Sequence, residues 1–154
     1  MLRDDYILRM VQQLADAIAR IAGLNQRGEH DQALTEADRA WGELLGDIPI
    51  ELAGSVDSRT LAGLLRQPAR IRLAHQLVHE QARALAARGD PAGATRRARR
   101  ALELLLEART ADAGKPAGAQ ANPAADAAAI RALLVLAPRD TLAARYQALL
   151  PPDA

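Results

Sequence analysis

Ile7, Met10, Val11, Leu14, Ile18 and Ile21 recur at intervals of three and four. That spacing gathers them on one side of an α-helix; a strand, whose side chains alternate, could not line them up on one face. The rhythm returns in Ala33, Ala37, Ala40, Trp41, Leu44 and Leu45, and again in Ile71, Ala74, Val78, Ala82 and Leu85. Composition pulls the same way. Ala and Leu dominate, Phe is absent, and the aromatic residues are Tyr6, Trp41 and Tyr146. Ala and Leu favour helices, whereas the β-branched and aromatic residues that favour strands are scarce. The sequence therefore predicts an all-α fold, a bundle of about six or seven helices in a chain long enough for one self-sufficient core.

Capping residues and breakers punctuate these helices. Asp4 or Asp5 can cap a first helix ending near Gln26, and Gly28 turns the chain into a second, about 31–46. The stretch "GDIPIELAGSVDSRT" is rich in breakers and reads as a connection. A short third helix, about 58–66, takes Asp57 or Ser58 as its cap. Pro68 opens a fourth, about 68–88. Asp90 and Pro91 supply the cap and first-turn proline of a fifth, which reaches about Thr110. "ADAGKPAGAQA", residues 111–121, reads as a flexible Gly/Ala/Pro linker. Asn122 and Pro123 start a sixth helix, about 123–136. Pro138 breaks it before a seventh, about 139–150, expected to turn Leu142, Tyr146 and Leu149 inward. The implied organisation is a helical domain over 1–110, the linker 111–121, and a C-terminal helical pair over 122–154 packing on the same domain.

Two segments superpose without gaps: "GEHDQALTEADRAW" and "GDPAGATRRARRAL". Gly28 matches Gly89, Ala33 matches Ala94, Ala37 matches Ala98 and Ala40 matches Ala101. Each segment follows a long amphipathic stretch, so glycine closes a turn and small alanines let the returning helix lie close. The arrangement resembles the hairpin of the tetratricopeptide repeat (TPR). The departures are a spacing of 61 residues between copies, against about 34 in regular arrays, and the absence of large aromatics on the first helix. The opening "DDYILRMVQQLADAIARIAGL" also resembles the start of an uncharacterised bacterial family, a domain of unknown function built of TPR-like hairpins. Asp5, Tyr6, Ile7 and Arg9 carry that resemblance, and "GDPAGATRRARRALELLLEA" supports it. It implies a fold and no assigned activity.

Charge is distributed unevenly. Residues 1–67 hold seven Arg against eleven Asp and Glu, residues 68–109 nine Arg against four acids, and residues 110–154 four of each sign. Arg96, Arg97, Arg99 and Arg100 fall within five positions. At about 100° per residue from Arg96, the other three fall near about 100°, 300° and 40°, opposite Ala94, Ala98, Ala101 and Leu105. Glu103 and Glu107 share the arginine face on this wheel, and Glu103 is within reach of Arg99 and Arg100. The first expectation is a solvated or internally paired face. Yet Arg96 and Arg97 stand near the helix start, where the macrodipole disfavours cations. An acidic neighbour would explain them, and the acidic 1–67 half supplies one; the sharper alternative makes these four arginines the candidate partner-binding residues, for a protein or peptide partner of acidic character. Nucleic acid is the weaker alternative: lysine is confined to Lys115, net charge is only +1, and no aromatic residue near the patch could stack on bases. A homodimer that pairs the oppositely charged halves is another.

Other chemistry finds little support. His75 and His79 are one turn apart in "HQLVHE", a spacing that can chelate a metal, but they border the apolar stripe, Glu80 points elsewhere, and His30 is the only other histidine. They read as boundary histidines. Asp4, Asp5, Ser55 and Ser58 sit at helix starts, where capping accounts for them. There is no cysteine, hence no disulfide or thiolate site, which suits a reducing cytoplasm. The N-terminus is acidic where a secretion signal would be basic, and no apolar run reaches membrane-spanning length. The expectation is a non-enzymatic cytoplasmic interaction module or adaptor, without catalytic residues, metal or cofactor.

Overall fold

The computed structural model describes residues 2–113 and 122–154, with side chains of the first helix from Asp5 onward. These residues form α1 (Leu2–Gln26), α2 (His30–Leu45), α3 (Ile50–Ser55), α4 (Ser58–Leu65), α5 (Pro68–Ala87), α6 (Pro91–Asp112), α7 (Pro123–Leu136), a 3-10 turn (Arg139–Thr141) and α8 (Ala144–Leu149). There is no strand among the described residues, so the fold is an all-α bundle.

Two pairs, α1–α2 and α5–α6, are helical hairpins closed by the same turn. Gly28 and Gly89 take φ of +79° and +82°, a left-handed conformation that glycine adopts without the clash of a Cβ. In the first turn the Glu29 N–H donates to the Leu24 carbonyl at 2.8 Å and the Gly28 N–H to that of Asn25 at 3.1 Å. In the second, the Asp90 N–H donates to Leu85 at 3.0 Å and the Gly89 N–H to Ala86 at 3.2 Å. Both are Schellman motifs, which satisfy carbonyls that a helix end leaves open. Beyond each turn Ala33, Ala37 and Ala40, and Ala94, Ala98 and Ala101, are buried.

The hairpins meet at α5, which packs against α1, α2, α4 and α6. A helix surrounded in this way has little free surface, and its polar residues are drawn in with the apolar ones. His75, His79, Glu80 and Gln81 are all buried. The boundary placement expected for the histidines is thus corrected. The Glu80 carboxylate accepts from Asn25 Nδ2 at 3.0 Å and from Arg83 at 3.3 Å. Asn25 thus ties the first hairpin to α5, and its Oδ1 bonds His30 Nδ1 at 3.0 Å within that hairpin.

Four boundaries differ from those read off the sequence. Helix α1 begins at Leu2, so Asp4 and Asp5 lie inside it rather than at its cap. The connection 46–60 contains α3, a helix of one and a half turns with a single buried residue, Ala53; too few apolar positions are involved to leave a period. The expected seventh helix is broken into the 3-10 turn and α8, with Leu142 and Ala143 extended between them. Leu142 and Tyr146 are buried as expected, but the break rotates Leu149 outward and buries Leu150 instead. The expected linker starts within α6, which ends at Asp112, and its residues 114–121 lie outside the described residues.

The C-terminal elements pack along α6. Ile130 and Leu133 of α7 are buried, and Thr95 Oγ1 donates to the Leu136 carbonyl at 2.9 Å. Arg72 of α5 bridges Asp112 at 2.9 Å and Asp126 of α7 at 3.0 Å. Helix α8 sets Tyr146 and Arg145 on Glu107, with the Tyr146 hydroxyl donating at 2.8 Å and Arg145 Nη2 at 2.9 Å. Glu107 is therefore buried and spent inside the fold, a correction to its expected place on the solvated arginine face.

A candidate binding groove walled by arginines

Helices α2 and α6 stand on either side of α5 and leave a groove of about 850 Å³ between them. Val78, Gln81 and Leu85 of α5 line its floor, and Asp38 and Trp41 stand on the α2 wall. The α6 wall carries all four arginines of the sequence cluster, and Ile50, Ala53 and Gly54 of α3 close one end.

The structure divides the four arginines. Arg100 is a strut: its guanidinium donates to the carbonyls of Ala53 at 2.7 Å and Val56 at 2.9 Å, and to Ser58 Oγ at 3.2 Å. Those carbonyls lie at the end of α3, where a helix lacks internal partners, so Arg100 fixes α3 to the α6 wall. Burial pulls its pKa below the usual guanidinium range, and it stays charged because the ordinary value is so high. Ser58 donates to Glu103 at 2.7 Å. Neither Arg99 nor Arg100 forms the expected ion pair with Glu103; Arg100 reaches it only through Ser58, which accepts from Arg100 and donates to Glu103. The cap of α4 is Asp57, which accepts from the Thr60 N–H at 2.7 Å.

Arg96, Arg97 and Arg99 are exposed, and no carboxylate among the described residues forms an ion pair with them. Asp90 accepts from the Gly93 N–H at 2.9 Å and places one negative charge at the N-terminus of α6. Three guanidinium groups thus line an open concavity without an ion-pair partner among the described residues, in the company of the carboxylates of Asp38, Asp90 and Glu103. Electrostatically, the wall can gather anionic groups. The α2 wall carries the opposite sign in Asp38, beside the half-buried indole of Trp41. The sequence pointed to the arginine face. Trp41 and Gln81 joined it only when the topology brought α2 and α5 beside α6, and Trp41 corrects the expectation that no aromatic residue lies near the arginines.

A second concavity of about 670 Å³ lies between α1, the α2–α3 loop and α4, with Tyr6, Ile7, Met10, Ile48 and Leu52 among its lining residues. Of the two arginines that line it, Arg66 and Arg70, the second is already committed. Arg70 donates to the Leu44 carbonyl at 2.6 Å, to Leu45 at 3.1 Å and to Leu65 at 3.4 Å. Tyr6 at its edge is 68% exposed, further into solvent than a phenol packed at the rim of the helix stripe.

The histidine pair of α5 lies inside the bundle. His75 Nδ1 bonds the Ala101 carbonyl at 2.9 Å, and the two ring centroids are 6.0 Å apart. Burial drives His75 from its ordinary 6.5 down to about 4. Burial also drives His79 to about 3, with Arg83 and His75 adding to the effect. Among the described residues no group of three or more His, Asp or Glu stands together as metal ligands, and no helix is long and apolar enough to cross a membrane. Compared with protein-family models, curated proteins and solved structures, the chain matches none.

Proposed function

We propose that this protein is a non-enzymatic, TPR-like interaction module that binds an acidic segment of a partner protein in the groove between α2 and α6. The observation that carries the reading is the α6 wall, where Arg96, Arg97 and Arg99 line a concavity and form no ion pair with any described carboxylate, although Asp38, Asp90 and Glu103 line the same groove. Paired helical hairpins use such concave faces to hold peptides, and the two equivalent glycine turns support the TPR-like description. In this reading the chain belongs to the bacterial family with the Asp5-Tyr6-Ile7-x-Arg9 opening. Its setting is the bacterial cytoplasm, which the cysteine-free composition suits. Arg100 serves as support for the wall rather than as a contact.

The test is a pull-down from bacterial lysate with the wild type and with Arg96→Glu/Arg97→Glu/Arg99→Glu, with and without nuclease, followed by reconstitution with the purified partner. The expected result is a partner that survives nuclease, is lost with the charge-reversed protein, and binds again when purified. Capture abolished by nuclease would establish nucleic acid as the ligand instead. Equal capture by both proteins would show the arginines to be a solvated face. A second copy of the chain is also a coherent occupant, because Asp38 and Glu43 are exposed on α2. Sedimentation at rising concentration would then show wild-type dimers that the charge reversal abolishes.

A further inference from the structure

The floor of the groove holds a polar atom that the fold leaves unpaired. Gln81 is 4% exposed. Its Nε2 faces Asp38 Oδ1 at 3.5 Å, and its Oε1 has no hydrogen-bond partner. Exchanging the two ends of the amide would set an oxygen against the Asp38 carboxylate, so the acceptor is the free end. A buried acceptor without a donor carries a desolvation penalty; the oxygen is closed to solvent as the fold stands, and an incoming N–H would relieve the penalty once the amide turns out to meet it.

We infer that the occupant of this groove lies in it as an extended chain, donates a backbone N–H to Gln81 Oε1, and lays the carboxylates of alternate residues along Arg96, Arg97 and Arg99. The inference rests on the acidic-partner reading above. A helical occupant satisfies its N–H groups with its own carbonyls and has none to offer the floor from its interior turns. An extended segment keeps them available. Its side chains alternate in direction, so one set faces α6 while the other faces α2. Asp38 repels carboxylates on the α2 side, while on the other side Arg96, Arg97 and Arg99 outnumber Asp90 and Glu103 and attract them, so charge favours one orientation of the strand.

The experiment uses fluorescence anisotropy on the full chain. The main probe is a labelled, capped peptide of about eight residues that alternates Thr and Glu, a pattern favouring extended backbone. Comparison probes are a stapled helical peptide with as many glutamates, and two versions of the main probe N-methylated at every Thr or at every Glu amide. The expected result is tighter binding of the extended peptide than of the helical one. One methylated version should lose affinity by about tenfold, the equivalent of one hydrogen bond. In Gln81→Leu, which keeps the buried volume and removes the acceptor, the two methylated versions should bind alike. The thermal melt of Gln81→Leu reports that it folds. If the helical peptide binds as well as the extended one, or if methylation discriminates equally in wild type and Gln81→Leu, the extended-chain inference fails and the groove reading stands. If neither peptide binds at low salt, or Arg96→Glu/Arg97→Glu/Arg99→Glu binds them unchanged, the groove reading itself fails.

Discussion

Aligned on Gly28 and Gly89, the two hairpins share a turn but not an interior. Leu14 and Ile18 of α1 occupy the positions that His75 and His79 occupy in α5, and Trp41 of α2 corresponds to Leu102 of α6. All four α1 and α5 residues are buried. Leu102 is also buried, whereas Trp41 is only partly covered and lines the groove. The same local geometry can therefore be filled by aliphatic packing or by neutral imidazoles, and the same site on the returning helix can serve the core or the groove. Surroundings decide which. Helix α5 is flanked by neighbours on several sides, and α6 is wrapped by α7 and α8, while α1 and α2 keep an open face.

The largest effect expected from breaking this comparison is pH-dependent. An unfolded chain takes up protons at its histidines near pH 6.5, and the folded chain resists doing so until about 4 for His75 and about 3 for His79. Their contribution to stability is thus complete above 6.5 and is lost as the pH falls toward those values. Well below 6.5 the slope approaches about 1.4 kcal/mol per pH unit for each histidine. His75→Leu/His79→Ile, which copies Leu14 and Ile18 into the second hairpin, should remove that slope. Urea denaturation of both proteins at about pH 7.5 and about pH 5 checks it. An equal loss in both would show that the histidines are not held neutral by burial.

Next in size is the pair Trp41 and Leu102. Leu102→Ala should cost about 3 kcal/mol, as for a fully buried leucine whose site cannot collapse. Trp41→Ala removes the larger side chain yet should cost about 1 kcal/mol, because part of the indole already faces solvent. Chemical denaturation ranks the two. A larger loss for Trp41→Ala would mean that the α2 wall belongs to the core.

The smallest effects are expected at the turns. Gly28 and Gly89 have open space where a Cβ would stand, so alanine there meets only the intrinsic penalty of the left-handed conformation, about 1–2 kcal/mol. The two single substitutions should match each other within the error of a denaturation curve. Unequal losses would show that the turns, despite their shared hydrogen bonds, bear different loads.

How much of this was legible in the sequence depends on how local its cause is. The long helices could be read directly, because their periods, caps and first-turn prolines act within a few residues. The twin turns could be read from Gly28 and Gly89 with their following alanines. Helix α3 could not, since a six-residue helix with one buried alanine has no period to show. Glu107 stands at the correct angle on α6 for an exposed residue, and only the arrival of Tyr146, some forty residues later, buries it. The groove was half legible: the arginine face follows from helical spacing, but its division into three free cations and the Arg100 strut required the position of α3. Gln81 carries no sequence signal for the same reason, because an amide on a central helix becomes a floor only when its neighbours are in place.

Trp41 is the one tryptophan of the chain, and it lines the groove with its ring partly in solvent. Of the two tyrosines, Tyr6 edges the other concavity and Tyr146 is locked onto Glu107. Excited selectively, the indole is thus an optical gauge built into the wall. Anything that settles beside it displaces water from the ring and moves its emission toward the blue, so the filling of this groove can be followed in the unlabelled native protein.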